Sequence, residues 1–135
     1  MRRFDPLRVL IAIATLVGGI VHFKLWNDGY QDIDKIGPSF LLNAIASAVA
    51  AVLVVVWPTR LSLLLSLGIA DATLVAFALS RTDNGFLDFQ EFGWEPSPEA
   101  VIALAAEIAT AVLCVVALAR AARLEAYDDP TRQTL

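Results

Sequence analysis

One cysteine, Cys114, and one histidine, His22, occur in 135 residues. A lone cysteine closes no intrachain disulfide, no Cys-x-x-Cys redox pair and no cysteine-rich metal site. A lone histidine rules out bis-histidine haem ligation within one chain. Charge is also scarce, at 18% of residues, where a soluble domain carries about 25%. Ten basic residues face fourteen acidic ones, a net charge of −4, and no basic run is dense enough to hold nucleic acid. No phosphate loop, nucleophile–base pair or zinc spacing occurs. The expectation is a chain with no metal and no cofactor.

Apolar side chains fill the space that charge leaves. They make up 58% of the chain, with a mean hydropathy of +0.67, and they are gathered into blocks. A membrane-crossing helix needs about 20 mostly apolar residues, because it rises about 1.5 Å per residue through about 30 Å of hydrocarbon. Four stretches qualify, at about 7–26, 39–57, 61–80 and 98–119. Lipid offers no partner to an unpaired backbone group, so the spans must be helices. The fold class expected is all-α: a single up-down-up-down four-helix membrane domain. Arg2-Arg3 before an apolar run resembles the start of a signal peptide, but the run is too long and no Ala-x-Ala site follows, so the first span reads as retained.

The breaks between spans carry their own signals. Gly37-Pro38 opens the second helix, and the short turn Trp57-Pro58-Thr59-Arg60 makes helices two and three antiparallel neighbours. Ser97-Pro98-Glu99 offers a cap, a first-turn proline and an acid suited to the helix dipole. Trp26, Trp57 and Trp94 fall at interfaces. Arg2, Arg3, Arg8, Arg60, Arg120, Arg123 and Arg132 lie on one side, and Lys24, Lys35 and Arg81 on the other. The positive-inside rule then places both termini in the cytoplasm, with a cytoplasmic tail at 120–135 and outer loops at 27–37 and 81–97. Asp28, Asp32, Asp34, Asp83, Asp88, Glu91, Glu95 and Glu99 make that outer side acidic. The expected location is the cell (inner) membrane, multi-pass.

Polar residues at hydrophobic depth are the candidates for a site. Asp71 stands nine residues before Ser80, and Glu107 nine after Pro98, so the two acids share a depth of about 13 Å from the outer boundary. An intramembrane acid costs about 2.5–3.5 kcal/mol and is expected to face the bundle interior or a water-filled cavity. The register predicts a shared proton or a bound cation between them. His22 and Asn43 lie nearer the outside, Asn43 between Ser39 and Ser47 at four-residue spacing. Together the four could line a funnel ending at the carboxyl pair. Asn43 and its serines read first as hydrogen-bond glue between helices, and His22 first as a structural or interfacial histidine.

Small residues mark expected contact faces: Ala14, Gly18 and His22 on the first helix, Ala44 to Ala51 on the second, Gly68, Ala72 and Ala76 on the third, and Ala106, Thr110 and Cys114 on the fourth. In the second outer loop, residues 84–92 match positions five to thirteen of an EF-hand, but positions one and three would be Ser80 and Thr82, which lack carboxylates. An acidic loop with Phe86, Phe89, Phe92 and Trp94 dipping into the interface is the better description.

The runs His22-Phe23-Lys24-Leu25-Trp26-Asn27-Asp28-Gly29-Tyr30, Ile36-Gly37, Phe40-Leu41-Leu42-Asn43 and Phe92-Gly93-Trp94-Glu95-Pro96-Ser97-Pro98 resemble small uncharacterised four-helix membrane proteins of high-GC actinobacteria. More loosely the chain is similar to the DoxX-like group, some of which are linked to quinone-coupled redox complexes. The motifs sit at loop–helix junctions and carry no catalytic residue over. The leading expectation is a non-enzymatic accessory or scaffold component of a membrane complex, in contact with lipid, partner membrane proteins or copies of itself. The alternative is a small proton-coupled transporter or cation-binding protein using Asp71 and Glu107.

Overall fold

A computed structural model describes residues 4–129 and Thr131. Arg2, Arg3 and Arg132, which bear on orientation, lie outside them. Among the described residues the regular structure is four long helices and one short turn of 3₁₀ helix at Tyr30–Asp32, with no strand. All four helices are long and apolar enough to cross a membrane.

Local chemistry sets each start. Helix α1, Pro6–Asn27, begins with Asp5 Oδ1 accepting from the Leu7 amide at 3.0 Å, and with proline where an N–H would go unpaired. Helix α2, Ile36–Val56, starts three residues before the expected 39, so Pro38 lies within its first turn. Helix α3, Arg60–Ser80, is capped by Thr59, whose Oγ1 accepts from the Ser62 amide. Helix α4, Glu99–Asp128, receives no cap from Ser97. The Ser97 amide instead donates to Glu95 Oε2, and the Ala100 amide reaches the Pro96 carbonyl at 2.7 Å. The described part of the expected tail is helical as far as Asp128, where α4 ends.

The helices form a ring in which α1 packs most closely on α2 and also on α4, α3 closes against α4, and α2 and α3 meet more sparsely. Two apolar clusters fill the interior. Ile11, Val54, Leu63, Cys114 and Ala117 occupy the end that bears the termini. Val21, Leu25 and Ala103, with Tyr30 and Phe40 against them, occupy the end that bears the long loops. Gly19 allows α1 and α2 to close up, since a Cβ there would stand 2.7 Å from Ser47 Cβ. Arg8, in the first turn of α1, bends onto the neighbouring turn. Its guanidinium donates to the Val54 and Thr59 carbonyls and to Ser62 Oγ at 3.2–3.3 Å, tying the α2–α3 turn to α1.

The small-residue faces of α1 and α4 point inward: Gly18, His22, Ala106, Thr110 and Cys114 are buried. On α3 the expected face lies at the edge of the interior, with Ala72 and Ala76 against the loop-end cavity rather than in a helix contact. Gly68 and Ala72 are exposed, and the buried line runs through Ser62, Leu63, Ser66, Ala70 and Ser80.

Candidate functional site

A cavity of about 380 Å³ lies inside the loop end of the bundle, walled chiefly by apolar side chains from all four helices. Glu107 stands at its deep end. It is eight residues into α4, about 12 Å along the axis from Glu99 at the helical rise. Its side chain is 3% exposed and makes no hydrogen bond or ion pair among the described residues, with Oε1 wholly buried and unpartnered. Gly18 makes room for it, because a Cβ at that position would stand 2.6 Å from Oε1. Thr15 Oγ1 and Ser66 Oγ are also buried without partners, but neither lines the cavity.

His22, one turn above Gly18, lines the same cavity and is 8% exposed. Its Nδ1 lies 2.8 Å from the Gly18 carbonyl. A carbonyl only accepts, so Nδ1 carries a proton. Asn43 is in the wall but already engaged. Its Nδ2 donates to Thr73 Oγ1 at 2.8 Å, Ser47 Oγ donates to its Oδ1 at 3.2 Å, and Thr73 Oγ1 donates to the Ile69 carbonyl. Asn43 therefore clasps α2 to α3, the glue expected of it. Ser39 turns back onto its own helix, donating to the Lys35 carbonyl.

Asp71 is not part of this site. Ala70 beside it is fully buried, but Asp71 is exposed on the outer surface of α3 and does not line the cavity. Successive residues of an α-helix are about 100° apart around its axis, so matching depth did not bring the carboxyls face to face. The expected pair does not form. His22, Asn43 and Glu107 share one cavity, and Asp71 faces away from it.

Residues the sequence reading passed over complete the walls. Phe40 sits 4.9 Å from the His22 ring and 5.0 Å from the Tyr30 ring, and Tyr30 is 5.8 Å from Phe89. The rings thus climb from His22 to the loops. Phe86 and Phe89 turn into the cavity rather than into the interface, while Phe92 and Trp94 are exposed. A two-residue turn places them: Phe86 and Phe89 exchange backbone hydrogen bonds of 2.8 and 2.9 Å, with Leu87 and Asp88 at φ 50° and 63° between them. This hairpin replaces the EF-hand reading, and no cluster of three metal-ligating side chains occurs among the described residues. The available signal was the Gly85 to Phe89 segment, with aromatics at both ends of a tight turn.

Polar contacts lace the loop end together. Tyr30 donates to Glu91 Oε1 at 2.6 Å, and its hydroxyl is held above its ordinary range by burial and by that carboxylate. Arg81 lies 3.7 Å over the Phe77 ring and donates to Ser80 Oγ and to the Gly93 and Glu95 carbonyls. Burial draws this guanidinium down from its usual value, with Glu91 opposing. Lys35 pairs with Asp88 across the two loops at 2.5 Å, and Lys24 pairs with Asp28 and Glu99.

Two of the cavity's wall residues, Leu42 on α2 and Ala72 on α3, are themselves exposed on the outside of the bundle, Leu42 by 67%. They mark a mouth between α2 and α3, where the ring of helices is loosest. The mouth lies about 9 Å along α2 from Ile36 by helical rise, within the apolar spans. There the cavity wall reaches the outside of the bundle, at the depth of the apolar spans. Comparisons with known protein families, with curated proteins and with solved structures find no match to this chain.

Proposed function

We propose that this chain is a non-enzymatic multi-pass protein of the cell membrane, with cytoplasmic termini, that holds a small lipid-soluble molecule in its intramembrane cavity. One observation carries the reading: an unpartnered, buried carboxyl closes the deep end of an apolar cavity whose wall reaches the outside of the bundle between α2 and α3. Ligand sites combine such apolar walls with a few placed polar groups. The reading is of binding rather than turnover, because the groups around Glu107 are already committed to structure, Asn43 to Thr73 and His22 Nδ1 to Gly18. Cation binding by Asp71 and Glu107 together has no support in this geometry.

Gentle extraction into nanodiscs followed by native mass spectrometry tests the proposal. The wild type should carry a small molecule beyond bulk lipid. Ala103→Phe, which fills the cavity from α4, should fold and lose it. Wild type and variant with identical small-molecule content would refute the reading.

A second reading rests on Asp71. An acid facing hydrocarbon at the middle of α3 costs about 2.5–3.5 kcal/mol, and a helix laid over it would remove that cost. Gly68, beside it on the same face, has open space where a side chain would be. This supports the accessory-subunit role, with the α3 face meeting a partner. A photocrosslinker at residue 75 should then capture protein in the membrane. Adducts with lipid alone would dispose of it.

A further inference from the structure

The cavity's polar groups and rings specify more than an apolar occupant. Glu107 has no cation in reach: the ion pairs of the described residues lie at the two ends of the bundle, on Lys24, Lys35, Arg60 and Arg120. A buried carboxyl without a partner is costly, and a ligand that supplies the missing positive charge removes that cost. Above it stand Phe40, Tyr30, Phe86 and Phe89, whose ring faces attract cations. Phe77 shows the contact already made within the wall, with Arg81 over its ring. The loop end carries eight acids against three bases, which concentrates cations on that side. Arg81 is the opposing charge, and it is tethered at the rim by Ser80 and two carbonyls, away from the deep end.

Building on the cavity reading above, we infer that the ligand is an amphipathic cation, its positively charged head between Glu107 and the aromatic rings and its apolar tail leaving through the mouth between Leu42 and Ala72. The carboxyl supplies charge, the rings supply a weakly hydrated seat, and the lateral opening accepts a chain that a closed pocket would reject.

Three probes with one twelve-carbon chain separate the terms: dodecyltrimethylammonium, dodecanol and dodecanoate. Each is titrated below its micellar concentration into full-length protein in zwitterionic nanodiscs, with empty discs as the blank. The cation should bind saturably at one per chain, about tenfold more tightly than dodecanol. Glu107→Gln should remove that advantage, bringing the cation to the affinity of dodecanol in the same variant. Phe40→Leu, which keeps an apolar wall but removes a ring face, should weaken the cation several-fold more than it weakens dodecanol. It provides the test if Glu107→Gln fails to fold by size exclusion. Equal affinity for cation and alcohol overturns the inference but leaves the cavity reading standing. Preference for dodecanoate, lost in Arg81→Gln, overturns it in favour of an anion. No saturable binding by any of the three ends both.

Discussion

Gly18 and Glu107 meet where α1 crosses α4, and the carboxyl oxygen occupies the space that a side chain at position 18 would claim, 2.6 Å from the Cβ position. Gly19 next to it faces a different obstacle, Ser47 Cβ at 2.7 Å on α2. A carboxyl end can swing aside, but a Cβ moves only with its helix. Gly18→Ala should therefore fold with little loss and displace Glu107, weakening cavity ligands. Gly19→Ala should push α1 from α2 and cost about 1–3 kcal/mol, as overpacking does. Thermal unfolding in detergent ranks them, and equal losses would show that Glu107 cannot move.

The mouth between α2 and α3 predicts the route of entry. Ala72→Phe should obstruct it and slow ligand uptake from preloaded vesicles, with little change in stability because the site is exposed. Ala78→Phe, exposed on the same helix but away from the cavity, is the control. Identical uptake rates for the two would mean that ligand arrives past the loops.

Depth and direction around a helix differed sharply in how far the sequence disclosed them. The four spans, the antiparallel turn at Pro58 and the shared depth of Asp71 and Glu107 follow from hydropathy and helical rise. The rotation of α3 does not. Gly68, Ala72 and Ala76 look like a packing stripe, yet Ser62, Ser66 and Ala70 are equally small and take the interior. The cost of an acid in hydrocarbon turned Asp71 inward in expectation, and the rotation of α3 leaves it outward in fact. On α1, Gly18 and His22 four residues apart pointed to the right face, since a close-packed glycine and a histidine bonded to its carbonyl belong together. The cavity's ceiling was hidden because Phe86 and Phe89 point inward only once the hairpin forms.

That hairpin carries a local strain. Leu87 adopts a left-handed backbone at φ 50°, which costs an L-residue about 1–2 kcal/mol. Leu87→Asn should steady the turn by about 1 kcal/mol, since asparagine tolerates this conformation. Hydrogen exchange at the Phe89 amide should slow. Faster exchange would mean that the leucine side chain contributes packing that outweighs its backbone.

The Lys35–Asp88 clasp sets a pH window for the loops. The hydrogen bond from Lys35 holds Asp88 below its ordinary 3.8, and Asp88 holds Lys35 above its ordinary 10.5. A lowered carboxylate contributes above 3.8 and is lost as acid protonates it; a raised ammonium contributes below 10.5 and is lost as base removes its proton. The distance between spin labels on the two loops should hold between these limits and broaden outside them. Lys35→Gln should abolish the window. Broadening near pH 6 in the wild type would assign control of the loops to another group.

Helix α4 spans 30 residues, about 45 Å against a hydrocarbon slab of about 30 Å. Its final turns, braced where Arg60 meets Glu125, stand clear of the lipid as a stiff post on the side that bears the termini. A dye on Tyr127 would ride at a fixed height above the headgroups and report any tilt of the whole molecule as the bilayer is thinned or thickened.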